Sequence, residues 1–292
     1  MTNETQVEAG EGTLAEILEG MQAVQLTLME PPGLSPEQLN NQIQEWRALV
    51  VELTEEQVRQ ADRDKSDFIS FVAHELRTPM TSIRGYADML AKGTIGPVTP
   101  SQVQFIEIII RNAERMQILL SDLQDITRIE STQLRIEMKP TTMADVLEGA
   151  LQATKERIEA RSQQLMVEIQ ADLSQVYADP ARLEQALTEL LRNACKYTSE
   201  KGRIRVRAWQ QDRYVHCTIS DTGIGISPED QSRLFTKFFR SDNPAVREMP
   251  GTGLGLCVVK GLVELQGGGV EVESQIGEGT TFAITIPVFA EE

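Results

Sequence analysis

Apolar residues recur at helical spacing through the first half of the chain and alternate along short segments in the second. Between 13 and 30, Leu14, Ile17, Met21, Val24 and Leu28 step by three and four, the seam of a coiled coil or helical pair. Pro31-Pro32-Gly33 ends that run, and Ser35-Pro36-Glu37 supplies an N-cap with proline at the first helical position. Ile43, Trp46, Val50 and Leu53 resume the pattern, whose seam turns polar at Gln57, Gln60 and Asp64. Polar seam positions weaken a coiled coil and let its register shift; an exposed spacer is the equal alternative. Phe68, Val72, Leu76, Ile83, Ala87 and Leu90 then form one apolar stripe. After a turn at 92–100 and a cap at Ser101, Phe105, Ile109, Asn112, Met116, Leu119, Leu123 and Ile126 form a second, ending near Ile129. Two helices enclose no core alone, so pairing two hairpins in a four-helix bundle is the expected solution, which predicts a homodimer.

Beyond Leu134 the period changes. Residues 134–140 read as strand and linker, 143–161 as helix, 164–170 and 176–178 as strands, and 180–197 as helix. Segments 203–209 and 214–220 form a hairpin signal, 228–235 and 254–266 are helical, and 269–274 with 280–288 make a final hairpin. Helices layered on one face of a mixed sheet give an α+β sandwich. The expected organisation is a disordered tail (1–12), a helical or coiled-coil input region (13–63), an all-α hairpin domain (64–133) and an α+β domain (134–292).

A net charge of −16 argues against nucleic acid or an anionic membrane surface as principal partner, because phosphate contacts are made mostly by Lys and Arg. Residues 1–66 hold 13 acidic and 4 basic residues, a net of −9, which reads as a solvated helix face. Cys195, Cys217 and Cys257 lack the paired spacing of zinc or redox sites and read as core residues in a reducing compartment. Glu4, Glu8 and Glu11 stand where a signal peptide carries positive charge, and no apolar run approaches the ~18 residues of a membrane span. The expectation is a soluble, cytoplasmic chain with no membrane span.

One histidine then changes the picture. His74 lies two positions from both Val72 and Leu76, well off the apolar stripe and toward solvent. A lone outward histidine is ordinarily a surface residue, but its neighbours point to chemistry. Neutral imidazole is a usable nucleophile, and Glu75 can hold the proton on the other ring nitrogen and accept it as the first attacks phosphorus. Thr78, one turn on, can position a water over the same nitrogen. Pro79 donates no helical bond and crowds the Glu75 carbonyl, which predicts a bend.

Four later stretches converge on a nucleotide, none of them a P-loop. Glu189, Asn193 and Lys196 share a helical face; the Asn193 amide oxygen is a hard ligand suited to Mg²⁺, Lys196 can reach phosphate, and Tyr197 can flank a base. Asp221-Thr222-Gly223-Ile224-Gly225 follows a strand, and the Asp221 carboxylate can accept from an exocyclic amine, which adenine has at position 6 and guanine lacks. Gly251-Thr252-Gly253-Leu254-Gly255 opens a helix, where bare N–H groups suit phosphates. Between them, 234–245 is too long and polar for a plain connection and reads as a mobile lid containing Arg240.

His74-Glu75-Leu76-Arg77-Thr78-Pro79, followed by Ser82-Ile83-Arg84-Gly85-Tyr86, resembles the phosphoacceptor box of two-component sensor histidine kinases. The four later stretches resemble, in order, the N, G1, F and G2 boxes of the GHKL ATPase fold, so the likeness covers roughly residues 64–288. It implies a dimeric four-helix bundle followed by a GHKL ATP-binding sandwich, with ATP and Mg²⁺ as ligands. It also implies Asn193 for Mg²⁺, Asp221 for adenine, Arg240 for the γ-phosphate side, and Gly251, Gly253 and Gly255 for lid and phosphates. The implied activity is autophosphorylation of His74, transfer to an aspartate in a response-regulator receiver domain, and phosphatase action on that regulator through Glu75 and Thr78. One departure stands out: Glu189 sits where many sensor kinases have Asn, and resembles the water-activating acid of gyrase and Hsp90. The alternatives are a non-catalytic ATP-binding signalling module and a GHKL ATPase without phosphotransfer. The input signal, the identity of the regulator, and whether a protomer labels itself or its partner are not legible in the sequence.

Overall fold

The computed structural model describes residues 36–290, with side chains between 36 and 63 mostly excepted. The expectations for 1–12, for the seam from Leu14 to Leu28, and for burial of Ile43, Trp46, Val50 and Leu53 therefore lie outside the described residues. The chain divides into two units, Met1–Gln60 and Ala61–Glu292. Among the described residues no helix is long and apolar enough to cross a membrane.

Helix α1 (Pro36–Ala91) contains Pro79 and continues past it, and α2 (Pro100–Glu130) follows. The cap of α2 is Thr99 rather than Ser101: Thr99 accepts from Gln102 N–H while the Gln102 side chain accepts from Thr99 N–H, a capping box. Pro100 has no N–H to leave unsatisfied at the first helical position, so the helix starts two residues earlier than a cap at Ser101 would give. The expected α1 stripe also divides. Ser66, Ala73, Met80 and Ala87, one heptad apart, are the buried positions, whereas Phe68, Leu76, Ile83 and Leu90 remain 40–67% exposed. The buried positions thus follow a heptad, and the larger apolar residues are left on another face.

The second layer begins with β1 (Lys139–Thr141), shorter than the expected strand, then α3 (Met143–Ala160), β2 (Gln164–Ile169), β3 (Val176–Ala178) and α4 (Pro180–Tyr197). There follow β4 (Arg203–Gln211), β5 (Tyr214–Asp221), two short helices α5 (Pro228–Gln231) and α6 (Pro244–Arg247), α7 (Gly255–Glu264), β6 (Gly269–Gln275) and β7 (Gly279–Pro287). The sheet order is β2-β4-β5-β7-β6, with only β2 and β4 parallel; β1 pairs with β3 separately. Alternation sends Ile204, Val206, Val215, Cys217, Ile219, Ile284 and Ile286 to one face, where they are fully buried with Leu147, Leu183, Leu187, Leu191, Val259 and Val263. Burying each such side chain stabilises the fold by roughly 1.5–3 kcal/mol. The helix layer so anchored fixes one edge of α4, the end of β5 and the start of α7 beside one another.

Candidate functional site

Ala73 is buried while His74 beside it is exposed, with 74% of its side chain accessible. Its Nδ1 lies 3.7 Å from Glu75 Oε1, an ion-pair distance rather than a hydrogen bond. Arg77, on the same turn, donates to Gln124 Oε1 of α2 and so ties this stretch to the hairpin core. Thr78 is exposed.

The other candidate residues converge on α4. That helix is capped by Asp179, which accepts from the N–H groups of Ala181 and Arg182, and has Pro180 at its first position. Its strongly apolar face is buried, which leaves Glu189, Asn193 and Lys196 half-buried along the edge. Lys196 Nζ donates to the Tyr197 hydroxyl at 2.7 Å and sits 4.3 Å above its ring. Burial, then the nearby Arg240 charge, lowers the Lys196 ammonium to about 8. No hydrogen bond among the described residues engages the Asn193 amide, so its oxygen is available as a ligand.

At the end of β5, Asp221 Oδ1 accepts from Gly223 N–H at 2.8 Å. Burial raises its carboxyl to about 6 against the pull of the hydrogen bond from Gly223. Gly225 has φ +69°, and a Cβ there would lie 1.9 Å from the Gln275 carbonyl oxygen, so only glycine fits. Gly223 lies against the Tyr197 carbonyl, which joins the β5 end to α4.

The glycine loop closes the opposite side. Gly251 approaches Lys196 Nζ and the Arg240 guanidinium, Gly253 (φ +72°) passes Phe238 and Phe239, and Gly255 packs on the Glu189 carboxylate. No side chain caps α7, so its first N–H groups face the loop unsatisfied. Arg240 donates to the carbonyls of Val246, Met249 and Gly251 and thereby pins the lid segment to the loop. Glu189 is lifted to about 7, first by burial and then by the Asp122 charge, with Arg192 opposing.

Glu189, Lys196, Tyr197, Arg240, Gly251 and Gly255 thus form one cluster, with Asp221 and Gly223 joined through Tyr197. No hydrogen bond or ion pair among the described residues links His74, Glu75 or Thr78 to it. One participant escaped the sequence reading. Asp122 of α2 accepts from Thr252 of the glycine loop at 3.0 Å, across 130 residues of chain. Among the described residues no group of three or more His, Cys, Asp or Glu could hold a metal ion.

The His Kinase A (phospho-acceptor) domain model matches residues 64–132, and the histidine kinase-, DNA gyrase B-, and HSP90-like ATPase model matches 178–290. The circadian input-output histidine kinase CikA of Synechococcus elongatus is 35% identical over 258 residues, which span 86% of this chain and 34% of the relative. The phosphate regulon sensor protein PhoR of Pseudomonas aeruginosa is 34% identical over 226 residues, 77% of this chain and 50% of the relative. The chain therefore spans between a third and a half of these relatives. Among solved structures, the Acinetobacter baumannii histidine kinase AdeS superposes with TM-score 0.52 at 27% identity, covering 74% of this chain and 98% of AdeS. Full-length ShkA in complex with AMPPNP gives TM-score 0.64 at 24% identity over 77% of this chain and 47% of ShkA, a likeness of fold. A phosphoacceptor module followed by a GHKL-type module, in that order, makes the chain a member of the two-component sensor histidine kinase family.

Proposed function

We propose that this chain is a protein-histidine kinase that binds ATP with Mg²⁺, moves the γ-phosphoryl group to His74, and passes it to an aspartate of a response-regulator receiver domain. The observation that carries this reading is the convergence of Glu189, Lys196, Arg240 and the glycine loop beside the Asp221 carboxylate, in a chain that also presents His74 outward next to Glu75. Asp221, mostly ionised above about 6, accepts from the adenine 6-amino group, and Tyr197 flanks the base. The α7 N–H groups and the Lys196 and Arg240 cations hold the phosphates. The Asn193 oxygen together with phosphate oxygens fits Mg²⁺, which when bound neutralises phosphate charge. A His74 ring nitrogen attacks the γ-phosphorus, the bond to the β–γ bridging oxygen breaks, and ADP leaves. Glu75 takes the proton from the other ring nitrogen. Glu75 and Thr78 then serve the reverse duty, with Thr78 placing a water on the phosphorylated regulator. The exposed Phe68, Phe71, Leu76, Ile83 and Tyr86 supply the apolar face of a homodimeric four-helix bundle. Dependence on ATP places this activity in the cytoplasm.

The test is incubation with γ-labelled ATP and Mg²⁺ beside His74→Gln, scoring acid-labile, base-stable label. Label on the wild type alone supports the reading; ATP binding without label favours a non-catalytic signalling module. A second reading, ATP hydrolysis without phosphotransfer, has Glu189 in its favour, since a carboxyl held near 7 beside the glycine loop suits a water-activating base. Steady phosphate release without label would select it.

A further inference from the structure

The hairpin and the glycine loop meet through a hydroxyl with two partners. Thr252 donates to Asp122 Oδ2 at 3.0 Å and accepts from Leu254 N–H at 3.1 Å. Leu254 is the N-cap residue of α7, so the threonine that fixes the helix start is itself held by a carboxylate from α2. The surrounding contacts are extensive. Ile126 packs with Leu254, Val258 and Leu262, Ile129 lies against Gly261, Asp125 accepts from Gln185 at 2.7 Å, and Lys237 pairs with Glu130. Asp122 also lines a cavity of about 330 Å³ together with Glu189, Arg192 and Gly255. Its carboxylate therefore stands at the positive end of α7, the place where an anion is favoured. The α2 face around it makes its packing contacts through Leu119, Ile126 and Ile129, and none of these needs an acid at 122.

Resting on the nucleotide reading above, we infer that Asp122 is a positioning residue that restrains the glycine loop through Thr252 and competes with the phosphates of ATP for the α7 end. Docking of α2 on α7 then weakens nucleotide binding, and by linkage the nucleotide weakens docking by the same factor. ATP binding in this way loosens the catalytic module from the hairpin and frees it to reorient toward His74, to which no hydrogen bond or ion pair among the described residues ties it. The regulation lies in the charge of one side chain.

The test is titration of the full chain with the β,γ-imido analogue of ATP and, separately, with adenosine, for wild type, Asp122→Asn and Asp122→Glu. Asn keeps an acceptor for Thr252 and nearly the same shape, whereas Glu keeps the charge. Asp122→Asn is expected to bind the triphosphate analogue about five- to tenfold more tightly, the range of ordinary coupling between sites. Adenosine, which has no phosphates, should bind both proteins alike, and Asp122→Glu should stay close to wild type. Equal affinity of Asp122→Asn and wild type for the analogue overturns the inference, and so does an equal gain for adenosine, which would mean general loosening. Failure of wild type and variants alike to bind either ligand would instead sink the nucleotide reading itself.

Discussion

Gly255 and Glu189 face one another so closely that a Cβ on Gly255 would lie 2.4 Å from Glu189 Oε1. The start of α7 reaches α4 only because a side chain is missing there. Gly255→Ala is therefore expected to displace the Glu189 carboxyl and the helix start together. Overpacking of this kind costs about 1–3 kcal/mol, and affinity for ATP should fall by roughly tenfold or more, equivalent to about 1.4 kcal/mol. Calorimetric titration and thermal melts check both, and an affinity unchanged from wild type would remove the glycine loop from the site.

Glu189 bears on whether ATP is also hydrolysed without transfer. Only its ionised form can take a proton from water, and its carboxyl is lifted to about 7. Phosphate release in the absence of a regulator should accordingly rise with pH through about 7 and disappear in Glu189→Gln. Release that persists in the variant, with the same pH profile, assigns the base elsewhere.

The same groups set how stability responds to pH in the ligand-free chain. Asp122 and Asp221 are lifted to about 6 and Glu189 to about 7, in each case mainly by burial. Asp122 and Glu189 also face each other's charge, Asp125 adds to Asp122, and Arg192, Lys196 and Arg157 oppose without reversing the shift. The folded chain keeps protons that the unfolded chain has already lost, so the folded state is favoured at low pH and loses stability as pH rises from the unfolded carboxylate range through about 7. Lys196, lowered to about 8, acts in the opposite sense at higher pH, where the folded chain has given up a proton the unfolded chain retains. The melting temperature should fall across the first window, and Glu189→Gln should flatten the fall; above about 8 the buried Cys217 thiol, pushed up to about 12, offsets the Lys196 gain. A melting temperature that climbs steadily between the acid range and neutrality would contradict it.

Much of this was legible in the sequence because local periodicity and packing agree. The alternation of Ile204, Val206 and Ala208, and of Val215, Cys217 and Ile219, announces one-sided burial, and the sheet buries those residues. Helix α4 is bounded at Pro180 and Tyr197 as its cap and pattern require. Periodicity cannot say which part of an apolar face is covered, and for that reason Leu76 and Ile83 looked like the same stripe as Ala87 although only Ala87 of the three is buried. Nor can it reveal contacts between modules: Asp122 falls at i+3 from Leu119 along the apolar stripe, and only docking of α2 on α7 shows that it meets Thr252 there. The short α6 depends on Asn243 accepting from Ala245 N–H inside the lid, a signal too brief for any period.

Thr78 separates the two proposed duties of the phosphoacceptor box. It is exposed, its hydroxyl is engaged by no hydrogen bond among the described residues, and its carbonyl accepts from Ser82 as part of the helix surface. Thr78→Ala should leave labelling of His74 within about twofold, as expected for an exposed helix position whose loss shifts stability by no more than ~0.5 kcal/mol. Dephosphorylation of the regulator by the same variant should be lost. Joint loss of both activities would show that the hydroxyl does not serve the phosphatase step alone.

The exposed apolar face of the hairpin makes the homodimer testable without disturbing the nucleotide cluster. Ile83 is 45% exposed and Phe71 64% exposed within one protomer, so neither is needed for the hairpin's own packing. Ile83→Glu should leave protomer stability nearly unchanged, because substitutions at exposed positions usually shift it by no more than ~0.5 kcal/mol. In a twofold assembly the change is made on both sides of the interface. Losing about 2 kcal/mol of burial at each copy raises the dissociation constant by roughly a thousandfold, before the repulsion of the two carboxylates is added. Light scattering at micromolar concentration should then report a monomer, and binding of the ATP analogue should persist because Asp221, Lys196 and Gly255 all belong to the other module. A dimer that survives Ile83→Glu and a matching Phe71→Glu places the interface on some other face. Loss of analogue binding together with the dimer would mean instead that the partner protomer completes the nucleotide site.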